Sequence, residues 1–368
     1  MTEWNMRLGF IGIGAVVETA YLPALRQIFD TPLHCVGFDP RPERELAGVV
    51  RCPSLEQLLT SPIDTLFVTT SSLHHLDALE LALSSPIPRI VVEKPVVATL
   101  SQIERLKTLL AKPEAAARVL ALDHWMARSG AMQLALGILN PAWQPERENQ
   151  TAGRVVNSLD EIVKIEGFLQ EPSGFNAAGE PVALNFATGE PDTRQLRHPD
   201  GVIIDIGTHV LAMMRETVRA LGGNHALSLQ VITATDRLGR PIATGDLLTA
   251  EGEAHLQGHV SGIPVDIWLN KYAGPAGGQK GLRLHLRDGR IISHDRRGTE
   301  DVLELVDGEN VQRWTLPGAI YAHCLAEHIL GEKSLYERAP EEVTFTTQRR
   351  LEEVELLLKL QQQLRGPH

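Results

Sequence analysis

Cysteine is scarce in this chain: three in 368 residues, at Cys35, Cys52 and Cys324. None stands in a CxxC pair or beside a histidine pair, so neither a disulfide framework nor a zinc site is indicated. A reducing, cytoplasmic setting fits best. Long apolar runs are missing too. No stretch approaches the roughly 18 residues a spanning helix needs, and residues 1–7 lead into an apolar strand without a leader pattern. Positive charge is in deficit, with 35 Lys and Arg against 46 Asp and Glu, a formal net charge of −11. A surface of that sign repels phosphate backbones and anionic headgroups, which argues against general binding to nucleic acid or membrane. Repeats and low-complexity tracts are absent. What remains is ordinary globular composition, 43% hydrophobic and 22% charged, in a chain about twice the usual domain length, so two domains are expected.

The first third alternates short apolar runs with helical periodicity. Residues 8–11 close on Gly12-Ile13-Gly14. Val17, Ala20, Tyr21, Ala24, Leu25 and Ile28 then recur at helical spacing, with Pro23 expected to kink or restart that helix. Runs at 33–38, 65–69, 90–92 and 119–122 predict four more strands. Helices are expected at 74–83 and after two capping boxes, Ser54 to Gln57 and Ser101 to Glu104. Five buried-type strands separated by helices predict an α/β fold, a Rossmann-like doubly wound parallel sheet. Ligands of such a sheet bind at the carboxyl ends of its strands. Those ends carry Gly12 and Gly14, Asp39, Thr69, Thr70, Ser71 and Ser72, Glu93 and Lys94, and Asp123 and His124.

A strand, the loop Gly12-Ile13-Gly14-Ala15-Val16 and then a helix offer backbone N–H groups and a positive helix end to a pyrophosphate. The third glycine of that fingerprint is Val17 here. Asp39, at the end of the second run, suits the two ribose hydroxyls of NAD, while Arg41 could meet the 2′-phosphate of NADP. NAD is favoured. Lys94, between Glu93 and Pro95 at a strand end, can hydrogen-bond a reacting oxygen, its direction set by the proline. Asp205 and His209 are four apart at a helix start, which predicts one shared face. Histidine as a residue type titrates near neutrality and suits general-base work. Gly207 between them points to a close approach.

After residue 124 the pattern changes. A helix is expected over 128–139, then a half-exposed strand over 162–171 with Val163, Ile165 and Leu169 on its inner face. Residues 172–200, rich in Gly, Pro, Asn and Asp, read as a long loop of the kind that covers sites. A helix from Asp205 stops at Gly222-Gly223, and strands follow at 226–234, 247–260, 265–272, 282–286, 291–294 and 302–306. Asp288-Gly289 and Asp307-Gly308 mark hairpin turns. Helices over 318–330 and 347–364 end the chain. The expected division is a dinucleotide-binding domain, 1–124, an α+β domain with a mainly antiparallel open sheet, 125–345, and a C-terminal helix, 346–368. The histidines show no metal-ligand spacing, so no metal is expected.

With these motifs in hand, the segments "GFIGIGAVVETAYLPAL", "LFVTTSSLHHLDALELAL", "VVEKPVVATL" and "GVIIDIGTHVLAM" resemble the Gfo/Idh/MocA family of glucose–fructose oxidoreductase and inositol dehydrogenase. The resemblance implies that Lys94, Asp205 and His209 line the site and that His74 is the loop histidine near the cofactor. It also places Thr70 where the family has a proline, and it implies dimers or tetramers formed through the open sheet face. The stretch "LDHWMAR" is similar to the DHYLGK segment of glucose-6-phosphate dehydrogenases. That likeness implies that Asp123 orients His209 while His124 and Arg128 hold an anionic substrate. Arg197, in the long loop, is a further substrate candidate. The expected activity is NAD(P)-dependent interconversion of hydroxyl and keto groups on a sugar, sugar phosphate, cyclitol or related polyol. The alternatives are NAD-dependent glycoside cleavage or elimination with transient redox, and a non-catalytic NAD-binding sensor.

Overall fold

A strand that is apolar along its whole length needs cover on both faces. The computed structural model, which describes residues 6–31, 33–148, 150, 152–185 and 188–366, supplies that cover. Residues 1–5, read above as lacking a leader, lie outside the described set. The chain divides into two compact units, residues 1–127 with 319–355 and residues 128–318 with 356–368. The first unit therefore takes back a segment that the expected boundaries at 124 and 345 assigned elsewhere. Topology decides this, because a returning segment leaves no local trace in composition.

The first unit is built on β1 (Arg7–Ile11), β2 (His34–Phe38), β3 (Val50–Arg51), β4 (Thr65–Val68), β5 (Arg89–Val92) and β6 (Val119–Ala121). All pairings are parallel, in the order β3-β2-β1-β4-β5-β6. This is the doubly wound arrangement, whose strand order reverses between β1 and β4. Phe10 stacks on Phe67 with centroids 5.4 Å apart, and Tyr21 meets Phe67 edge-on at 5.0 Å. Helices α1 (Leu22–Ile28), α2 (Leu55–Thr60), α3 (His75–Leu83), α4 (Leu100–Leu110) and α5 (Pro113–Arg118) connect the strands. Pro23 cannot donate to the preceding turn, and the helix meets it with a π turn over Val17–Tyr21 that closes on Leu22 N–H to Val17 O. Ser54 caps α2 by accepting from Gln57 N. The cap of α4 is Thr99 rather than Ser101: its hydroxyl accepts from Gln102 N, and Gln102 returns a carbonyl to Ala98 N. The box lies two residues earlier than expected because Thr99, not Ser101, holds the extended backbone a cap requires.

The second unit carries α6 (Gly130–Leu136), α7 (Val202–Asp205) and α8 (Gly207–Ala220). Its nine-stranded sheet uses β7 (Gln144–Pro145), β8 (Ile162–Gln170), β11 (Leu227–Thr235), β12 (Glu253–Val260), β13 (Ile263–Asn270), β14 (Lys280–Leu286), β15 (Ile291–Arg297), β16 (Glu300–Asp307) and β17 (Asn310–Pro317). The segment read as a loop holds a hairpin, β9 (Ser173–Phe175) with β10 (Pro181–Ala183). Only β8 with β13 pairs parallel; every other neighbour is antiparallel.

Four expectations change here. Val163 is 43% exposed and Ile162 is buried instead, because a bulge in the β14–β8 ladder resets the alternation. Residues 247–252 are no strand: Asp246 Oδ1 accepts from Leu248 N and Thr249 N, taking donors a ladder would use. The helix expected over 128–139 is the shorter α6, ended by the left-handed Gly137. The helix expected from Asp205 is two helices, broken at Ile206 (φ −114°).

Glu251 anchors the segment leading to Asp205. Its fully buried carboxylate accepts from Ile203 N, Gln361 Nε2 and Arg365 Nη2, the last at 3.0 Å. A Cβ on Gly201 would stand 2.1 Å from that carboxylate. Gly201→Ala is expected to destabilise the second unit by about 2–4 kcal/mol, since a buried ion pair must shift or break. Denaturant unfolding checks this, and an unchanged midpoint would mean the carboxylate has room to move.

Candidate active site

Five strand ends of the first unit converge on one edge. Gly12 lies between the ends of β1 and β4, where its φ of +89° and the 2.8 Å from its would-be Cβ to Thr69 O admit only glycine. Its N–H donates to Phe38 O, and Thr69 Oγ1 donates to Gly12 O at 2.6 Å. Gly14 differs: a Cβ there would meet nothing nearer than Arg41 Nη2 at 3.8 Å. The crest of the loop is thus open above a helix start, the space and donor set a pyrophosphate requires. Ala15 and Val16 continue the loop into the helix, and Val17 is fully buried in the π turn.

Asp39 is buried at the end of β2 and fixed from two sides. Ile13 N donates to Oδ2 at 3.1 Å, and Arg41 forks onto the carboxylate through Nε at 2.8 Å and Nη2 at 2.9 Å. Hydrogen bonding from Arg41 is the main reason its pKa falls to about 2. Arg41 keeps 55% of its side chain exposed. The glycine loop and the carboxylate at the end of β2 are therefore tied together.

At the end of β5, Glu93 is buried and accepts from Tyr21 OH at 2.6 Å and Tyr321 OH at 3.0 Å. Burial raises its pKa. Lys94 is half-buried beside it, and the Lys94–Pro95 bond is cis. Asp123 is buried and accepts from Trp125 N at 3.0 Å, while the ring of His124 stacks on Tyr321 at 4.0 Å. Trp125 is 5% exposed and packs.

The two neighbouring histidines differ in burial. His74 is exposed. His75 is 1% exposed and places Nδ1 2.7 Å from Pro95 O and Nε2 3.0 Å from Thr70 O. It joins the loop after β4, which carries Thr70 and exposed Ser71, to the loop after β5. A helix that begins at residue 75 turns its first residue inward, and the apolar pattern alone did not reveal which histidine that is.

In the second unit, His209 is 7% exposed in α8. Asp205 ends α7, so the helical face expected to join the two is interrupted at Ile206. Its carboxylate goes to Lys271 Nζ, 2.6 Å away. Gly207 makes its close approach to Leu269 and Leu357. Arg128 is 4% exposed and donates to Asp301 Oδ1 and Lys280 O, both at 3.0 Å. Its cation keeps Asp301 well below the ordinary carboxylate range despite burial. A guanidinium enclosed in that way is a packing element of the second unit, not a substrate cradle. Arg197 is exposed, its backbone bridged to Thr249.

Tyr21, Tyr321 and His75 in the first unit and Lys271 in the second are neighbours of candidate residues that sequence reasoning missed. In the sequence Tyr21 stands out only as one position of a helical face. Tyr321 arrives with the returning segment, more than two hundred residues after Glu93, and no spacing rule could connect them.

A family model described as "Oxidoreductase family, NAD-binding Rossmann fold" matches residues 6–120. Two solved structures share the fold across nearly the whole chain. KijD10, a 3-ketoreductase from Actinomadura kijaniata in complex with TDP-benzene and NADP, is 16% identical, with a TM-score of 0.57, 96% of this chain covered and 95% of that one. GnnA, a UDP-N-acetylglucosamine 3-dehydrogenase from Acidithiobacillus ferrooxidans, is 16% identical, with a TM-score of 0.61 and coverage of 97% and 99%. At that identity the likeness establishes the fold.

Proposed function

From the match of residues 6–120 to that family model, we propose that the chain is an NAD(P)-dependent oxidoreductase of the Gfo/Idh/MocA family that interconverts a hydroxyl and a keto group on a sugar, cyclitol or related polyol, with NAD as the preferred nucleotide. The observation that carries this reading is the single strand-end edge bearing the open Gly14 loop, ionised Asp39 and Lys94. The fold is shared with a 3-ketoreductase and with a 3-dehydrogenase of a nucleotide-linked sugar, which supports a ring hydroxyl as the reacting group.

Residues 12–16 would hold the pyrophosphate, Asp39 the ribose, and Thr69, Thr70, Ser71, Glu93 and Pro95 the walls beside the nicotinamide. The bound nicotinamide supplies the hydride acceptor or donor. His209 accepts the hydroxyl proton at its imidazole, Lys94 donates a hydrogen bond to the oxygen as its charge grows, and Asp205 accepts from a neighbouring hydroxyl. Asp123 orients His209, and His124, held flat against Tyr321, and Arg197 contact the substrate. The three cysteines, all buried and unbridged, suit the cytoplasm. Among the described residues no helix is long and apolar enough to cross a membrane.

Self-association through the sheet face opposite α8 completes the proposal. That face is already ordered: His255 stacks on Trp268 at 3.7 Å, Lys164 pairs with Asp266 at 2.8 Å, and Arg283 lies over Phe168. Trp268→Glu is expected to shift a dimer or tetramer to monomer in light scattering; an unchanged mass would move the interface elsewhere.

The activity is tested by incubating the protein with NAD or NADP and a panel of sugars and cyclitols, following reduced nicotinamide and identifying the product. A keto product with stoichiometric NADH is expected. Nucleotide binding with every panel member returned unoxidised and no keto sugar reduced would overturn the reading.

A further inference from the structure

Asp205 finds its charge partner on a distant strand. Lys271 is the first residue after β13, with a side chain only 10% exposed. Its ammonium stands 2.6 Å from Asp205 Oδ2 and 3.4 Å from Asp200 O. Its backbone is held as well, by Lys271 N donating to Gly252 O at 3.0 Å and by Tyr272 N donating to Asn270 Oδ1 at 2.7 Å. The surface lysines Lys107 and Lys164 keep more than four-tenths of their side chains in water. Lys271 has given up that hydration.

Burial alone would lower the pKa of Lys271, yet it is raised, because Asp205 and then Glu171 oppose the desolvation. An ammonium enclosed to this degree is tolerated only against a fixed carboxylate. The converse also holds. Asp205 keeps 38% of its side chain exposed, at a break between two helices where no regular helix geometry sets its direction. An exposed aspartate ordinarily samples several rotamers. Here one oxygen is pinned from inside the unit.

We propose that Lys271 is a positioning residue for the oxidoreductase reaction, its buried ammonium fixing Asp205 so that the carboxylate meets the substrate as an oriented anion. This rests on the reading above, in which Asp205 faces the substrate. A methionine would fill the same volume without pinning Oδ2, and an arginine would keep the charge.

The experiment compares Lys271→Met, Lys271→Arg, Asp205→Asn and the double variant Lys271→Met/Asp205→Asn in the full-length protein. It measures kcat, KM for the polyol, dinucleotide affinity and the thermal midpoint. Lys271→Met is expected to lower kcat about 30- to 100-fold, with dinucleotide affinity within about twofold. Lys271→Arg should recover most of the loss. The double variant should be no slower than Asp205→Asn alone, since the lysine acts through that carboxylate. Wild-type kcat in Lys271→Met beside an impaired Asp205→Asn would overturn the role of Lys271 and leave the active-site reading standing, as would losses that multiply in the double variant. Wild-type kcat in Asp205→Asn would remove Asp205 from the site and take both assignments with it.

Discussion

Lys94→Ala is expected to lower kcat by about 10²–10³-fold while leaving dinucleotide affinity nearly unchanged. The reason is where the lysine acts. A donor aimed at an oxygen that gains charge in the transition state contributes little to ground-state binding and much to turnover. The segment carrying it is rigid: Glu93 beside it is clamped by Tyr21 and Tyr321, and Pro95 O is met by His75. Lys94→Arg is not expected to restore the rate, because a planar fork cannot replace a compact ammonium at one oxygen. His209→Ala should lose about 10²–10⁴-fold, the range for a general base. The double variant should be little slower than the worse single one, since both groups serve the same proton and hydride transfer. Steady-state rates combined with nucleotide titration by fluorescence decide the matter. Turnover within threefold of wild type in both single variants would sink the assignment.

The first unit was more legible than the second for a definite reason. Its strands are covered on both faces, so they stand out as uninterrupted apolar runs, and the polar residues that end them are the ones that matter. In the second unit one sheet face is open, and alternation carries the signal. A single bulge in β8 opposite Leu286 suffices to turn Val163 outward. β17 has Trp314 as its one buried residue and leaves almost no pattern. The site divides in the same way. Gly12, Asp39 and Lys94 are read from local motifs, whereas the Tyr321 clamp on Glu93 and the Lys271 pin on Asp205 depend on strand order and chain return. Arg128 shows the opposite failure, because a motif likeness suggested a ligand for what is an internal ion pair with Asp301.

Asp39→Ser is expected to shift the ratio of kcat/KM for NAD over NADP by about 10²–10⁴-fold toward NADP. The wild-type carboxylate is buried and held at about 2, chiefly by Arg41, so it is anionic at every working pH; in its proposed role it opposes a 2′-phosphate and accepts from ribose hydroxyls. Three arginines surround it. Arg41 forks onto the carboxylate, Arg44 donates from Nε to Ile13 O at 2.7 Å, and Arg51 donates from Nη2 to Asp39 O at 2.8 Å. Serine removes the anion, leaves Arg41 without its partner and turns the local charge positive, so both halves of the preference change sign together. Loss of a charge-assisted bond to ribose and gain of one to phosphate are each worth about 1.5–3 kcal/mol, which sets the range. Sign and pH follow from the depressed pKa: the folded carboxylate stays charged, and its part in the discrimination is lost only as pH falls toward about 2. The proposed preference for NAD should therefore keep its sign between about pH 5 and pH 9, growing as the 2′-phosphate of NADP loses its second proton at about pH 6. A preference that reversed within that window would place the discrimination on a group other than Asp39.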